Sequence, residues 1–449
     1  GGGLMVTSLG VSLHQLWLIW LGAGVIGGIG LGLGYISPVS TLIKWFPDRR
    51  GLATGMAIMG FGGGAMIGMP LGDYLIKANG VGETFFIMGL IYLIAMTIGA
   101  FGYRVPAEGW KPEGWNPVVK KTNNMINKDS KILITGGSGL VGQNLTARLI
   151  KEGYTEIRVN LHKRGVRTKH KGVEYTQHDL QTYQGCREAT EGVSVVFHAA
   201  ASTSNAVDTV VDPLAHVTPN VAMNNFLIDA SWRNGVEHYI FISSNTVYPP
   251  KGDEPVVETD FLFDEPYPVY FPVGWMKRYA EVQCELYAKY LPRTMKCTVI
   301  RPANLFGPHD KYDFNKCHVT PATIRKVADK MNPIPVWGDG SELRDLLYVE
   351  DFVEALQVVM EKEMEMFQVY NVGSNEVHSV NDVLGLMKHI VDYNAPTEYI
   401  QGKPSMIPTR RIDSNKIKEN LGWESKTPLE VGLKNAYVWY MEHKNEFNN

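Results

Sequence analysis

Gly136, Gly139 and Gly142 are the residues of this sequence whose type and spacing point most directly to chemistry. They lie in KILITGGSGLVGQNLTARLIKEG, Lys131 to Gly153. There a short apolar run predicts a buried strand over Ile132 to Ile134. An amphipathic run after it predicts a helix with Leu145, Leu149 and Ile150 on one face. Glycine at these positions permits a tight turn and close approach of backbone to a pyrophosphate. The turn also holds Leu140 and Val141, where the opening helix offers free N–H groups and a favourable dipole. A glycine triplet alone says little, but set between strand and helix it predicts a dinucleotide site. The second predicted strand, Glu156 to Leu161, runs into His162, Lys163 and Arg164. NAD enzymes place an acid near this point for the ribose 2′-hydroxyl, whereas a basic cluster suits the 2′-phosphate of NADP. His162 and Arg164 therefore predict NADP, with NAD as the alternative cofactor and a solvated basic loop as the structural one. Asp179 and Leu180, in His178-Asp179-Leu180, fall where an adenine contact follows a third strand. VVFHAAA, Val195 to Ala201, reads as a buried strand whose last small residues, Ala199 and Ala200, let a cofactor lie against the backbone.

The elements that must position these residues begin only after about residue 120. The 449 residues fit two or three domains. Beyond Lys120 charges are interspersed and apolar runs are short, as in a soluble protein. From Gly1 to Ile43 there is no Asp, Glu, Lys or Arg. That run is longer than the roughly 20 apolar residues of one membrane-spanning helix. Three apolar segments are marked: Leu16 to Ile43, Met56 to Leu75 and Phe85 to Tyr103, with residues 1–13 as the tail of a further helix. Their glycines, as in GAGVIGGIGLGLG and GFGGGAMIG, predict close helix packing. Lys44, Arg49, Arg50 and Arg104 place the basic loops, and with them the soluble part, in the cytoplasm. The chain opens on Gly1 without a Met or a basic n-region, so it reads as a fragment and not as a signal peptide. A net charge of -3 gives no reason to expect a nucleic-acid partner. The four cysteines, Cys186, Cys284, Cys297 and Cys317, form no CxxC and no metal-ligand spacing. A reduced compartment is expected, and no metal.

The stretch GLGYISPVSTLIKWFPDRRGLATGMAIMGFGGG, with VPAEGWKPEGW, resembles the oxalate/formate antiporter branch of the major facilitator transporters over residues 1–117. Such carriers need about twelve helices. Three helices and a stub are therefore expected to be a transporter remnant or a fusion, with a natural membrane anchor as the alternative. Residues 118–130, VVKKTNNMINKDS, read as a linker.

From about Lys131 to Lys444, FISSNTVYP, WMKRYAE, RPANLFGPHD, VWGDGSELRDLLYVEDF and YNVGS resemble, in order, the extended short-chain dehydrogenase/reductase family. Within it, RPANLFGPHDKYDFNKCHVTP is similar to the GDP-L-fucose synthase branch. The resemblance implies an α/β fold: a doubly wound parallel sheet over residues 131–300 with a small substrate lobe mainly in residues 301–449. It also implies nucleotide-sugar substrates and the family's Ser, Tyr and Lys chemistry. The Tyr exchanges a proton with a sugar hydroxyl, and a Lys one helical turn on lowers its pKa and holds the ribose. Ser244 matches the Ser and Lys277 the Lys. Val273 stands where the Tyr belongs, and valine can neither give nor take a proton. Tyr270 shares the helix face but lies a turn further away, so it could substitute only if the helix start is irregular. Tyr279 faces away. Thr246 stands where the GDP-L-fucose synthase branch has a Cys, and His318 where it has an acid His. Asn220 matches an Asn that organises backbone near the site. Asn304 is implied as a contact near the substrate diphosphate, Trp337 as a base-stacking or core residue, and Arg344 as the diphosphate ligand.

The expectation is an NADP-dependent epimerase/reductase of a 4-keto-6-deoxy nucleotide sugar, homodimeric through two helices, one of them carrying Lys277. The alternatives are a 4-epimerase, dehydratase or decarboxylase of the same family, a cofactor binder without turnover, and a transporter.

Overall fold

The computed structural model describes residues 1–46, 50–102, 104–107, 126–202, 212, 214–262, 264–314, 316–402 and 406–447. It divides into two compact units, Gly1–Asn123 and Asn124–Asn449.

The first unit is helical. A helix over Gly2–Ser12 is followed by a helical path from Leu16 to Trp45 that passes through a π-helical stretch at Trp20–Ile26. A further helical run covers Arg50–Gly102 and is broken at Gly80, whose φ of 80° and ψ of 172° are outside the helical region. The segments expected over Met56 to Leu75 and Phe85 to Tyr103 lie on either side of that break. The intervening Ala78 to Thr84 is taken up almost entirely by helix, because one glycine absorbs the change of direction. The glycines pack as expected: a Cβ on Gly22 would stand 2.6 Å from the Thr7 amide nitrogen. Among the described residues one helical stretch, Gly64–Gly102, is long and apolar enough to cross a membrane. The linker expected over 118–130 lies mostly outside the described residues.

The second unit opens with β1 (Ile132–Thr135), α1 (Leu140–Lys151), β2 (Ile157–Asn160), β3 (Glu174–Thr176), α2 (Tyr183–Ala189) and β4 (Val195–His198). It continues through α3 (Leu214–Arg233), β5 (His238–Ile242), α4 (Phe271–Lys289), β6 (Lys296–Pro302) and β7 (Asn304–Phe306). The remainder is α5 (Val319–Ala328), β8 (Ile334–Trp337), β9 (Leu343–Tyr348), α6 (Val349–Lys362), β10 (Phe367–Val372), β11 (Val377–Ser379), α7 (Val380–Val391), β12 (Thr397–Ile400), β13 (Thr409–Arg410), α8 (Asn415–Leu421) and α9 (Leu429–His443). Seven parallel strands form one sheet in the order β10-β6-β5-β4-β1-β2-β3. Its strands read as continuous apolar runs because both faces are covered. Ile132, Ile134, Val195 and Phe197 join Leu145 and Leu149 of α1 and Phe352 and Leu356 of α6 on one face. Leu133, Val196, Tyr239 and Val299 join Leu227 of α3 and Cys284 of α4 on the other. This is the doubly wound Rossmann-type sheet that the motifs imply.

The sheet is not drawn from residues 131–300 alone. β10 lies far beyond residue 301, yet it pairs with β6 along its full length, Phe367 opposite Cys297 through Val372 opposite Pro302. The smaller lobe has its own core around Tyr312, Ile324, Leu384, Leu433 and Tyr440. Its second sheet sets β11, β7 and β13 against β9.

Candidate active site

Between the ends of the Rossmann strands and the smaller lobe lies a cleft of about 2390 Å³. Such a cleft at the carboxyl edge of an open α/β sheet is where ligands bind. Gly136, Gly139, Leu140, Val141, Gly142, His162, Arg164, Asp179, Leu180, Ala199, Ala200, Ser244, Thr246, Asn304, His318, Trp337 and Arg344 all line it. Of the residues expected from the sequence, Lys277 and Asn220 are not among the lining residues; both are buried.

The glycine turn is built for close approach. Gly136 has φ 68°, and a Cβ there would stand 2.7 Å from the Ala199 carbonyl oxygen and 2.8 Å from the Ala200 nitrogen. A Cβ on Gly142 would stand 2.7 Å from Gly137 Cα. Gly139 is the extended N-cap of α1, so the first amides of the helix are left for a ligand. One hydroxyl, missed in the sequence, ties the turn to β4. Thr135 Oγ1 accepts the amides of Ala199 at 3.1 Å and Ala200 at 3.0 Å, and lies 3.0 Å from His198 Nδ1. His198 Nε2 lies 2.9 Å from Asn224 Oδ1, an acceptor, so the ring proton is assigned to Nε2 and Thr135 donates to Nδ1. Burial, with the charge of Lys277 adding to it, pushes the His198 pKa down to about 3, so the ring is neutral. A turn that a methyl group would block, facing free helix amides, fits a dinucleotide. Gly136→Ala is expected to raise the dissociation constant for a nicotinamide dinucleotide about 10- to 100-fold, the equivalent of about 1–3 kcal/mol of backbone strain. Fluorescence titration of the reduced cofactor measures it.

The basic wall follows β2. Asn160 ends that strand buried, its amide spent on His178: Nδ2 donates to the His178 carbonyl at 3.0 Å and Oδ1 accepts its amide at 2.9 Å. It is therefore not free to act as a ribose ligand, and His162 and Arg164 follow it as exposed side chains on the cleft. A feature that the sequence did not single out lies three residues on. Arg167 Nε donates to Glu446 Oε2 at 2.6 Å, and its guanidinium stands 5.1 Å from the rings of both Trp439 and Phe447.

The reacting end is carried by the turn after β5 and by α4. Ser244 caps a short 3-10 turn and its Oγ accepts from Thr246 N at 3.2 Å and from Thr246 Oγ1 at 3.0 Å. Asn245 Nδ2 donates to the Pro302 carbonyl at 3.0 Å and to Asn304 Oδ1 at 3.4 Å, fixing this turn to the loop after β6. Lys277 Nζ donates to the Ile242 carbonyl at 2.9 Å and stands 4.6 Å from the Phe241 ring. Burial pushes its pKa down to about 8, against the opposing charge of Glu281. Asn220 organises backbone as expected: its Oδ1 accepts the Ser202 amide and its Nδ2 donates to the Ser202 carbonyl, each at 2.9 Å. The start of α4 is irregular, with a 3-10 turn over Pro268–Tyr270 leading into the helix. Tyr270 does line the cleft. Its phenol is pushed up by burial and opposed by Arg344, Arg410 and the Ile407 amide, so it faces the smaller lobe and not Lys277.

His318 is the N-cap of α5, with its ring open to the cleft. Crowding between the cleft walls, with Lys311 adding, holds its pKa below the usual value, so it is neutral at pH 7. Trp337 ends β8 at the mouth, 44% exposed, so it is not a core residue. Arg344 is buried, and its strand register places it opposite Arg410. Arg410 Nη1 and Nη2 donate to the carbonyls of Pro249 at 3.0 Å and Tyr248 at 3.1 Å, while Nε has no partner. Among the described residues no carboxylate pairs with Arg410, and burial pushes its pKa down to about 10. Two buried guanidiniums side by side, one without a counter-charge, fit an anionic group in the cleft. The signal for Arg410 was present in RRIDSNK but carries no local meaning before β13 is laid beside β9. Asp345 is structural: it accepts from Ser374 N at 2.9 Å and Ser374 Oγ at 2.8 Å.

The NAD dependent epimerase/dehydratase family matches residues 132–373. The Major Facilitator Superfamily matches residues 1–157. The two overlap over 132–157, where the chain forms β1 and α1 of the Rossmann sheet. A "Probable GDP-L-fucose synthase 1" of Oryza sativa subsp. japonica is 28% identical over 71% of this chain and 94% of its own length. The GDP-L-fucose synthase of Escherichia coli (strain K12) is 26% identical over 71% of this chain and 98% of its own. Among solved structures, a UDP-glucose 4-epimerase with UDP-glucose from Thermotoga maritima superposes with TM-score 0.62 at 27% identity. It covers 70% of this chain and 99% of that one.

Proposed function

The chain belongs to the NAD dependent epimerase/dehydratase family, and from that premise we propose that its cleft reduces and epimerises a 4-keto-6-deoxy sugar nucleotide with NADP(H). The observation that carries this reading is one continuous cleft. The glycine turn and the basic loop of His162 and Arg164 stand at one end and His318, Trp337, Arg344 and Arg410 at the other, with Ser244 between them.

A nicotinamide cofactor bound on the glycine turn supplies hydride to the sugar ketone. The chain's own residues then have separable tasks. Ser244 Oγ holds the sugar oxygen, with Thr246 fixing its orientation. Lys277 presents a buried cation to the nicotinamide ribose. His318, held neutral, takes a proton from the carbon beside the ketone, water returns one on the opposite face, and the charged His318 gives its proton to the sugar oxygen that hydride reduces. Arg344, Arg410 and Tyr270 hold the diphosphate, Asn304 stands near it, and Trp337 stacks the base. His162 and Arg164 hold the 2′-phosphate that distinguishes NADP from NAD.

The test is absorbance loss of NADPH on mixing the full chain, in detergent, with GDP-4-keto-6-deoxymannose. Turnover supports the reading. NAD retained through purification, with interconversion of an unreduced sugar nucleotide, would favour a 4-epimerase instead. Cofactor binding without turnover would favour the second reading, a site impaired because the family Tyr is Val273.

The helix α4 also carries an exposed apolar stripe: Trp275, Tyr279, Val282, Leu286 and Tyr290, between 41% and 65% exposed, spaced three or four residues apart. This is the face on which the homodimer is proposed. A double variant, Val282→Glu with Leu286→Glu, is expected to halve the mass seen by light scattering while leaving cofactor binding in place; an unchanged mass would remove α4 from the interface. The helical first unit is proposed to place the enzyme at the cytoplasmic face of a membrane, resting on Gly64–Gly102 and the facilitator match.

A further inference from the structure

A charged cluster behind the cleft is used by none of the roles above. Glu281 lies on α4 one helical turn after Lys277 and is 3% exposed. Arg301 Nε donates to its Oε1 at 3.0 Å and Nη2 to its Oε2 at 2.5 Å, a two-point ion pair with Arg301 fully buried. Its Oε1 also accepts the hydroxyl of Ser243, the residue before Ser244. One carboxylate thus joins three pieces of chain: α4, β6 and the turn after β5.

We propose that Glu281 is a positioning residue: it locks the Ser243–Ser244 turn to α4 and keeps Lys277 charged where the cofactor ribose is held. This inference rests on the proposed cofactor reading, and deepens it. The groups facing Lys277 among the described residues are Glu281 and Cys284 on its own helix and neutral His198 on β4. Arg301 on β6 stands beyond Glu281. Against burial, Glu281 is the largest influence that favours the charged amine, and the buried Cys284 thiol, itself pushed up, supplies no charge at neutral pH. Lys277 is a base whose folded pKa is already lowered to about 8. Removing the Glu281 charge lowers it further, so the cation is lost at a lower pH.

The experiment is the pH dependence of NADPH affinity of the full chain, by fluorescence titration. Glu281→Gln keeps the shape of the side chain and removes its charge, and it leaves one accepting oxygen for Arg301 and Ser243 where the carboxylate has two. In the natural chain affinity is expected to fall as pH rises through about 8. Lys277→Met should abolish that alkaline limb, identifying it as the lysine's. Glu281→Gln should move the limb down by about one pH unit, and Glu281→Asp should restore most of the shift. If affinity drops equally at every pH, or the limb stays in place, Glu281 is structural only and the proposal is overturned. Should Glu281→Gln not fold, Ser243→Ala removes the link to the turn alone. It should lower kcat without moving the limb, and an unchanged kcat would overturn the locking role. If the natural chain binds no NADPH, the cofactor reading and this inference fall together. Binding with an unmoved limb defeats the inference only.

Discussion

Replacing Val273 by tyrosine is expected to raise the rate of NADPH oxidation by on the order of a hundredfold or more, the usual range for a positioned acid or base. Val273 is half-buried in the first turn of α4, four residues before Lys277 and so on the same face. Its neighbour Gly274 presses that turn onto the catalytic loop: a Cβ there would stand 2.6 Å from the Thr246 carbonyl oxygen. A phenol at position 273 would share the helix face of Lys277, whose charge would lower its pKa into a useful range. The gain should be in kcat, with KM little changed, because proton transfer is improved and substrate contacts are not. If the variant is no faster than the natural chain while both bind NADPH, then either another group does this work or the site performs no hydride chemistry. Tyr270 is the phenol to remove next, although its neighbours Arg344 and Arg410 argue for a binding role.

Arg301→Met is expected to destabilise the enzyme unit by about 3–5 kcal/mol, roughly 10 °C in Tm. The cost comes from what stays behind. Glu281 would remain inside the protein as an unpaired charge. Tyr248, whose hydroxyl accepts from Arg301 Nη1 at 2.8 Å, and the Glu258 carbonyl, which accepts at 2.7 Å, would lose a donor. The guanidinium also lies 4.4 Å from the Phe261 ring, so packing is lost as well. Adding Glu281→Leu should recover part of the stability, since two apolar partners leave no buried charge. Thermal unfolding followed by near-ultraviolet circular dichroism measures both. A loss under about 1 kcal/mol in the single variant would mean that water reaches this cluster.

What could be read in the sequence was what is local. The strand, glycine turn and helix from Lys131 to Gly153 sit within one stretch, so spacing alone revealed them. Alternate burial of Ile132, Leu133 and Ile134 on two faces follows from a run with no polar residue. The positions of Ser244, His318, Trp337 and Arg344 came from motifs that resemble a family, and the structure brings them to one cleft. Features made by distant pairs stayed hidden. Arg410 gains meaning only beside Arg344, Thr135 only beneath Ala199 and Ala200, and Glu281 only against Arg301. The helical run through Ala78 to Thr84 was hidden for another reason: it falls between the marked apolar segments, and a single residue at Gly80 carries the turn.

The strand order of the main sheet has a consequence for how this unit must fold. The chain leaves the sheet at β6, builds part of the second lobe, and only then returns with β10 to cover the exposed edge of β6. Until residue 372 has been made, that edge is a bare row of amides and carbonyls on a strand as apolar as Thr298-Val299-Ile300, which invites pairing with another chain. The helix α6, which completes the core over α1, is equally late. Cofactor half and substrate half are therefore one cooperative unit, tied by contacts far apart in sequence, slow to form and costly to divide. A piece of chain cut at residue 300 would carry every glycine of the dinucleotide turn and still lack the strand and helix that hold the sheet beneath it.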